Sequence, residues 1–109
     1  MRSLGKYRSK LDMIADILSV VVVNNGARKT QIMYDANLSF KVLERYLAKM
    51  VRVSLITFEK EARLYLLTSK GKDFLVAYHE YSKIKKRLDK RLKDIHLKEK
   101  ALKEMCWLK

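Results

Sequence analysis

This sequence predicts a mostly helical fold with one small β-hairpin, closed by a long C-terminal helix, and three observations carry the prediction. Two short helical patterns separated by a turn fall between residues 30 and 52, and two β-favouring runs flank a charged segment between 55 and 67. From residue 74 an apolar side chain returns every seventh position, and the chain contains no proline. Helix, helix, ribbon and a fresh helix start, in that order, is the arrangement of a winged helix-turn-helix.

The elements follow in turn. Ser9 is placed to cap a first helix with Leu11, Ile14, Leu18, Val21 and Val22 on its apolar face, and Asn24-Asn25-Gly26 is a stop signal. A second helix opens at Thr30 and ends near Asp35-Ala36-Asn37, where Asn tolerates the left-handed turn. Ser39 offers the next N-cap. From Phe40 to Arg52, Leu43, Tyr46, Leu47 and Met50 recur at three- and four-residue spacing, which leaves Lys41, Arg45 and Lys49 on the other side. Leu55-Ile56-Thr57-Phe58 and Arg63-Leu64-Tyr65-Leu66-Leu67, around Glu59-Lys60-Glu61-Ala62, read as the hairpin, or wing. Thr68 then caps the last helix, with Gly71 in its first turn.

That last helix has the pattern of a coiled-coil seam. Phe74, Tyr81, Leu88, Ile95 and Leu102 repeat at seven residues, Tyr78, Leu92 and Cys106 take complementary steps, and Lys85 and Glu99 interrupt the second set. A helix from about Ser69 to Met105 would extend on the order of 55 Å, more than a small head can cover. Its apolar stripe needs a partner helix, and a second copy of the chain is the economical choice. Lys85 and Glu99 flank Leu92, so antiparallel pairing brings opposite charges together, whereas parallel pairing opposes like charges. A snorkelling Lys85 relaxes that constraint, and the residues alone leave the direction open. The expected divisions are a basic tail (1–8), a winged helix-turn-helix domain (9–68) and a dimerisation helix (69–109).

Composition narrows the partners. The 109 residues suffice for one modest core, and 25 basic against 12 acidic side chains give a formal charge of +13, an excess that attracts polyanions. Nucleic acid leads. The longest apolar run, Ile17 to Val23, is far short of the ~20 residues that span a bilayer, so no membrane partner is expected, and the basic start lacks a signal-peptide pattern. A cytoplasmic, nucleoid-associated location is the expectation. A lone Cys106 excludes an intramolecular disulfide and reads as a small buried hydrophobe, and Tyr34, Tyr46, Tyr65, Tyr78 and Tyr81 read as core or seam. His79 and His96 lack ligand spacing, and no phosphate loop, carboxylate pair or nucleophile with an adjacent base stands out. No enzyme activity, cofactor, metal or small-molecule ligand is expected.

Thr30-Gln-Ile-Met-Tyr-Asp-Ala-Asn-Leu-Ser39, the Arg45-Tyr46 pair and Leu67-Thr-Ser-Lys-Gly71 together resemble the archaeal winged-helix proteins of the ten-kilodalton chromatin class. The likeness covers about residues 9 to 75 in motif and the remainder in heptad character. It implies a winged-helix head, an antiparallel coiled-coil homodimer, an archaeal source and binding of double-stranded DNA with little sequence preference.

Helix-turn-helix docking sets the candidate contacts, since the second helix enters the major groove while the first approaches the backbone. Lys41, Arg45 and Lys49 are the groove-facing candidates. Arg28, Lys29, Thr30 and Gln31 surround the preceding helix start, where free amides and the dipole suit a phosphate. Asn37 and Ser39 add neutral hydrogen bonds, and Arg63 extends from the wing, whose Glu59 and Glu61 make its tip acidic. Glu44 reads as a salt-bridge partner to a nearby Lys or Arg rather than a reader of cytosine. An architectural protein is the leading expectation, a sequence-specific transcriptional regulator the second, and a winged-helix protein-interaction module the third. Residues 82–109 carry eleven basic and four acidic side chains, a net +7 that also permits a DNA role for the coil.

Overall fold

The computed structural model describes residues 7–107, so residues 1–6 of the expected basic tail lie outside the described chain. Six elements occur in the order α1 (Lys10–Val23), α2 (Lys29–Asp35), α3 (Phe40–Arg52), β1 (Ile56–Glu59), β2 (Leu64–Leu67) and α4 (Ser69–Cys106). They form two compact units, one ending at Tyr78 and one beginning at His79.

Local chemistry at the helix ends explains the first unit. Ser9 and Asp12 form a capping box at α1, the Ser9 Oγ accepting from the Asp12 N–H and the Asp12 carboxylate accepting from the Ser9 N–H, an arrangement worth about 1 kcal/mol. Ser39 caps α3 through the Val42 N–H at 3.3 Å. Thr68 Oγ1 accepts from the Gly71 N–H at 2.9 Å and donates to the Ser54 carbonyl at 2.6 Å, so one hydroxyl starts α4 and ties it to the end of α3. Lys70 Nζ reaches the Val53 carbonyl at 2.7 Å and reinforces that junction.

Helices α1, α2 and α3 all stop the same way. Asn25, Asn37 and Ser54 adopt positive φ of 55°, 56° and 67°, and the following N–H groups of Gly26, Leu38 and Leu55 return to Val21, Met33 and Met50 at 2.9, 3.1 and 2.9 Å. These are Schellman motifs, which satisfy carbonyls that the helix leaves open. The two asparagines were legible as stop signals; Ser54, a residue that rarely takes this conformation, was not. Arg8 closes the α2 end from outside, donating to the carbonyls of Ala36 and Asn37 at 2.7 Å each and to Asp16 Oδ2 at 2.9 Å. The residue that ends the expected tail is thus built into the head.

β1 and β2 pair antiparallel, with Ile56 opposite Leu67 and Phe58 opposite Tyr65. Ala27 adds a bridge on the far side of β2, its N–H and carbonyl exchanging bonds with Tyr65 at 3.1 and 2.8 Å. No sequence signal marked that rung. Gly26, at φ 108°, precedes it; a Cβ there would approach Leu66 Cδ2 at 2.9 Å. Arg63 occupies the hairpin turn with φ 56° instead of the expected strand position.

The core joins Ile17, Leu18 and Val21 of α1 to Ile32, Leu43, Met50 and Ile56, all fully buried. Burial of each such side chain contributes roughly 1.5–3 kcal/mol. The buried side of α1 is Ala15, Ile17, Leu18, Val20 and Val21, so two expected members of its apolar face, Leu11 and Val22, are exposed. A run of consecutive apolar residues offers no unique stripe, and tertiary packing chose one shifted from the regular spacing.

The first ten residues of α4 complete this unit. Leu75 and Tyr78 are buried, Phe74 packs against the core and stacks on Tyr78 with ring centroids 6.2 Å apart, and the Tyr78 hydroxyl donates to Asp12 Oδ1. Phe74 and Tyr78 are therefore corrected from seam to head. The heptad spacing continues through both environments because each needs one buried face of the same helix.

The second unit is the remainder of α4, whose described side chains are exposed except the half-buried Ser82. Cys106, expected as a buried hydrophobe, is exposed. No helix among the described residues is long and apolar enough to cross a membrane.

Candidate nucleic-acid interface

Helix α3 presents two distinct sides. Leu43, Leu47 and Met50 are buried and Tyr46 packs beside them, while Lys41, Arg45, Lys49 and Arg52 are all exposed. At 3.6 residues per turn, Lys41, Arg45 and Arg52 fall almost opposite the buried trio, and Lys49 sits at the margin. None of the four has an acidic partner among the described residues. Arg52, at the last position of α3, was not among the sequence candidates; its position seven beyond Arg45 marks it as belonging to the same face.

Lys29 is otherwise engaged. Its Nζ donates to Glu44 Oε2 at 2.8 Å and lies 5.0 Å from the centre of the Phe40 ring. The hydrogen bond to Glu44 raises its pKa above 10.5, so the ammonium stays charged through neutral pH. This pair links α2 to α3 across the turn, and the sequence expectation that Glu44 would bridge to a neighbouring cation is met by the geometry.

The remaining candidates divide by their bonds. Arg28 is exposed and makes no side-chain cap bond at α2, and Thr30 is exposed beside it. Helix α2 has only seven residues, so its dipole is short and side chains carry what the helix start can offer. Gln31 donates to Asn24 Oδ1 at 2.8 Å. Asn37 is exposed in its left-handed turn with its carbonyl held by Arg8, and Ser39 is exposed with its oxygen committed to the α3 cap. On the wing, Glu59 folds back to accept the Ala62 N–H at 2.8 Å, leaving Lys60, Glu61 and Arg63 exposed at the tip. Tyr34, read as core, is 77% exposed on α2. No cluster of three metal-ligating side chains occurs among the described residues.

In the second unit Tyr81, Leu88, Leu92, Ile95 and Leu102 are exposed, and so is Ile84, at 63%. Ile84 completes a run of apolar steps of three, four, four and three residues from Tyr81 to Ile95. Ile84 stands outside the expected seam because it lies three residues from Tyr81, whereas Tyr78, Leu92 and Cys106 lie four beyond Phe74, Leu88 and Leu102.

A three-helix head with a two-stranded wing following its second and third helices defines a winged helix-turn-helix. The winged helix-turn-helix family model matches residues 7–86, and the chain belongs to that family. Among solved structures it is similar to Sso10a-2, a DNA-binding protein from Sulfolobus solfataricus, at 24% identity and a TM-score of 0.74, over 82% of this chain and 94% of that one. It is also similar to a variant of ZitR from Lactococcus lactis at 20% identity and a TM-score of 0.51, over 98% and 84% respectively. No curated protein matches the sequence.

Proposed function

We propose that this chain binds double-stranded DNA as a homodimer, mainly through phosphates and with low sequence preference, in the manner of an architectural, nucleoid-associated protein. The observation that carries the reading is the set of four exposed cations on α3, without an acidic partner among the described residues, three of them opposite Leu43, Leu47 and Met50 and Lys49 beside them. In a winged helix-turn-helix this is the element that enters the major groove. Sso10a-2, which shares the fold, is described as a DNA-binding protein.

Low sequence preference is supported by the few base readers among the side chains available. Adenine is read by Asn or Gln and cytosine by Asp or Glu; α3 has no Asn or Gln, and its one acid, Glu44, is held by Lys29. Lysine and arginine remain, which contact phosphates and, among the bases, read guanine, so hydrogen-bonded readout by α3 is limited to that one base. Arg28, Thr30, Gln31, Asn37 and Ser39 approach the backbone on one side and Arg63 on the wing on the other, while Lys29 acts chiefly by positioning α3. The exposed apolar stripe of α4, with Tyr81, Leu88, Leu92, Ile95, Leu102 and Cys106, supports pairing with a second copy, which places two heads on one assembly.

Gel-shift and footprint titrations on random and genomic duplex at two salt concentrations test the proposal. Comparable affinities that weaken together as salt rises support it. A preference above about a thousandfold for one site makes the chain a specific regulator. Indifference to duplex in dilute buffer, with a protein partner retained, makes it an interaction module.

A further inference from the structure

Building on duplex binding as the function, we propose that the second unit carries its own sequence-neutral surface for the DNA backbone, formed by Lys83, Lys86, Lys90, Lys93 and Lys100. Spacing builds it. Steps of three, four, three and then seven residues keep all five on one side of a helix with 3.6 residues per turn, and the intervening position is the exposed Leu97. Every one of these lysines is exposed and none has an acidic partner within ion-pair distance among the described residues. The ion pair described in this unit, Lys103 with Glu99 at 3.8 Å, lies away from the row on the side of Tyr81, Leu88, Leu92 and Ile95. That apolar side is roughly opposite the lysines, so pairing it with a second copy leaves the row in water.

At three- and four-residue spacing unlike charges support a helix and like charges weaken it. Lys83 with Lys86, Lys86 with Lys90, and Lys90 with Lys93 are three successive like-charged pairs. Asp89 stands four residues before Lys93, Asp94 four after Lys90 and Glu104 four after Lys100, so acids flank the row and close its end, while the ion pair described in this unit joins Lys103 to Glu99 instead. A partner bearing one negative charge per ~1.7 Å of its axis neutralises such a row. From Lys83 to Lys100 the row is about 26 Å long at 1.5 Å per residue, less than one duplex turn of ~34 Å, so a straight row lying along the duplex meets the phosphates on the side that faces it. Lysine ammonium groups are mobile point charges without the planar fork that reads base edges, which suits phosphates in any register.

The test compares the full chain with two variants on a random duplex of about 30 base pairs, reading the slope of log affinity against log salt. One variant combines Lys86→Gln, Lys90→Gln and Lys93→Gln; the other combines Arg45→Ala and Arg52→Ala. The row predicts that the glutamine variant lowers the slope by about 2 to 3, at 0.9 per lost phosphate contact, with helix content and self-association unchanged. The same positions replaced by arginine retain the slope. An unchanged slope in the glutamine variant, with a reduced one in the arginine-to-alanine variant, overturns the row and leaves the head reading standing. The reverse pattern supports the row and removes α3 from the contact. A native chain that ignores duplex in dilute buffer overturns both.

Discussion

The Tyr78 hydroxyl donates to one oxygen of Asp12 while the other oxygen accepts the Ser9 N–H at 3.0 Å. A single carboxylate thus closes the capping box of α1 and anchors α4 to it, although the two residues are 66 apart in sequence. Replacing Tyr78 with Phe keeps the ring stacked on Phe74 and removes the bond. We expect a loss of about 1.5–3 kcal/mol in urea unfolding, the range for a hydrogen bond to a charged group, with self-association unchanged. Weaker self-association at unchanged stability would return Tyr78 to the seam.

Gly71 sits where the first turn of α4 meets the carbonyl of Leu55, and a Cβ there would collide with that oxygen and reach Leu67 Cδ1 at 2.7 Å. An exposed helical glycine ordinarily gains up to ~1 kcal/mol on replacement by Ala. Here Gly71→Ala should instead destabilise by about 1–3 kcal/mol, the cost of overpacking, as calorimetry would show.

Both partners of the Lys29–Glu44 pair are substantially exposed, so a double-mutant cycle should return a coupling of about 0.2–1 kcal/mol. Because the folded pKa of Lys29 is raised, its contribution is fully present below 10.5 and is lost only as pH climbs through the higher folded value. Stability from this pair should therefore be flat across neutral pH. Glu44→Gln frees the Lys29 ammonium beside α3, and the salt slope of duplex binding should steepen by about 0.9 if one more phosphate is neutralised.

Ile84 distinguishes the apolar stripe of the second unit from a strict seven-residue repeat. Steps of three, four, four and three residues from Tyr81 to Ile95 insert a local four-residue stutter, which unwinds a supercoil. Ile84→Glu should shift the assembly towards monomer in sedimentation at micromolar protein as strongly as Leu92→Glu. An effect confined to Leu92→Glu would argue for the strict repeat.

Much of the head was legible because its signals are local. Ser9, Ser39 and Thr68 are caps wherever they stand before a helical pattern, and Asn25 and Asn37 tolerate the left-handed turn, so helix starts and stops emerged close to their places. What escaped depends on contacts distant in sequence. The Ala27 rung on Tyr65, the Arg8 clamp on Ala36 and Asn37, and the commitment of Tyr78 to Asp12 have no periodic signature. The α3 face was partly legible, since Lys41 and Arg45 stand out against Leu43 and Leu47. Arg52 lay one turn further on, and the pairing of Lys29 emerges only once α2 and α3 are brought side by side.

The most direct test of the central claim is the salt dependence of binding to random duplex for the native chain beside an Arg45→Ala, Arg52→Ala variant, followed by fluorescence anisotropy. Phosphate neutralisation by α3 predicts a steep linear loss of log affinity with log salt, shallower by about 1.8 in the variant at 0.9 per contact, and alike on unrelated sequences. Identical slopes for the two proteins, or no binding in dilute buffer, would contradict it.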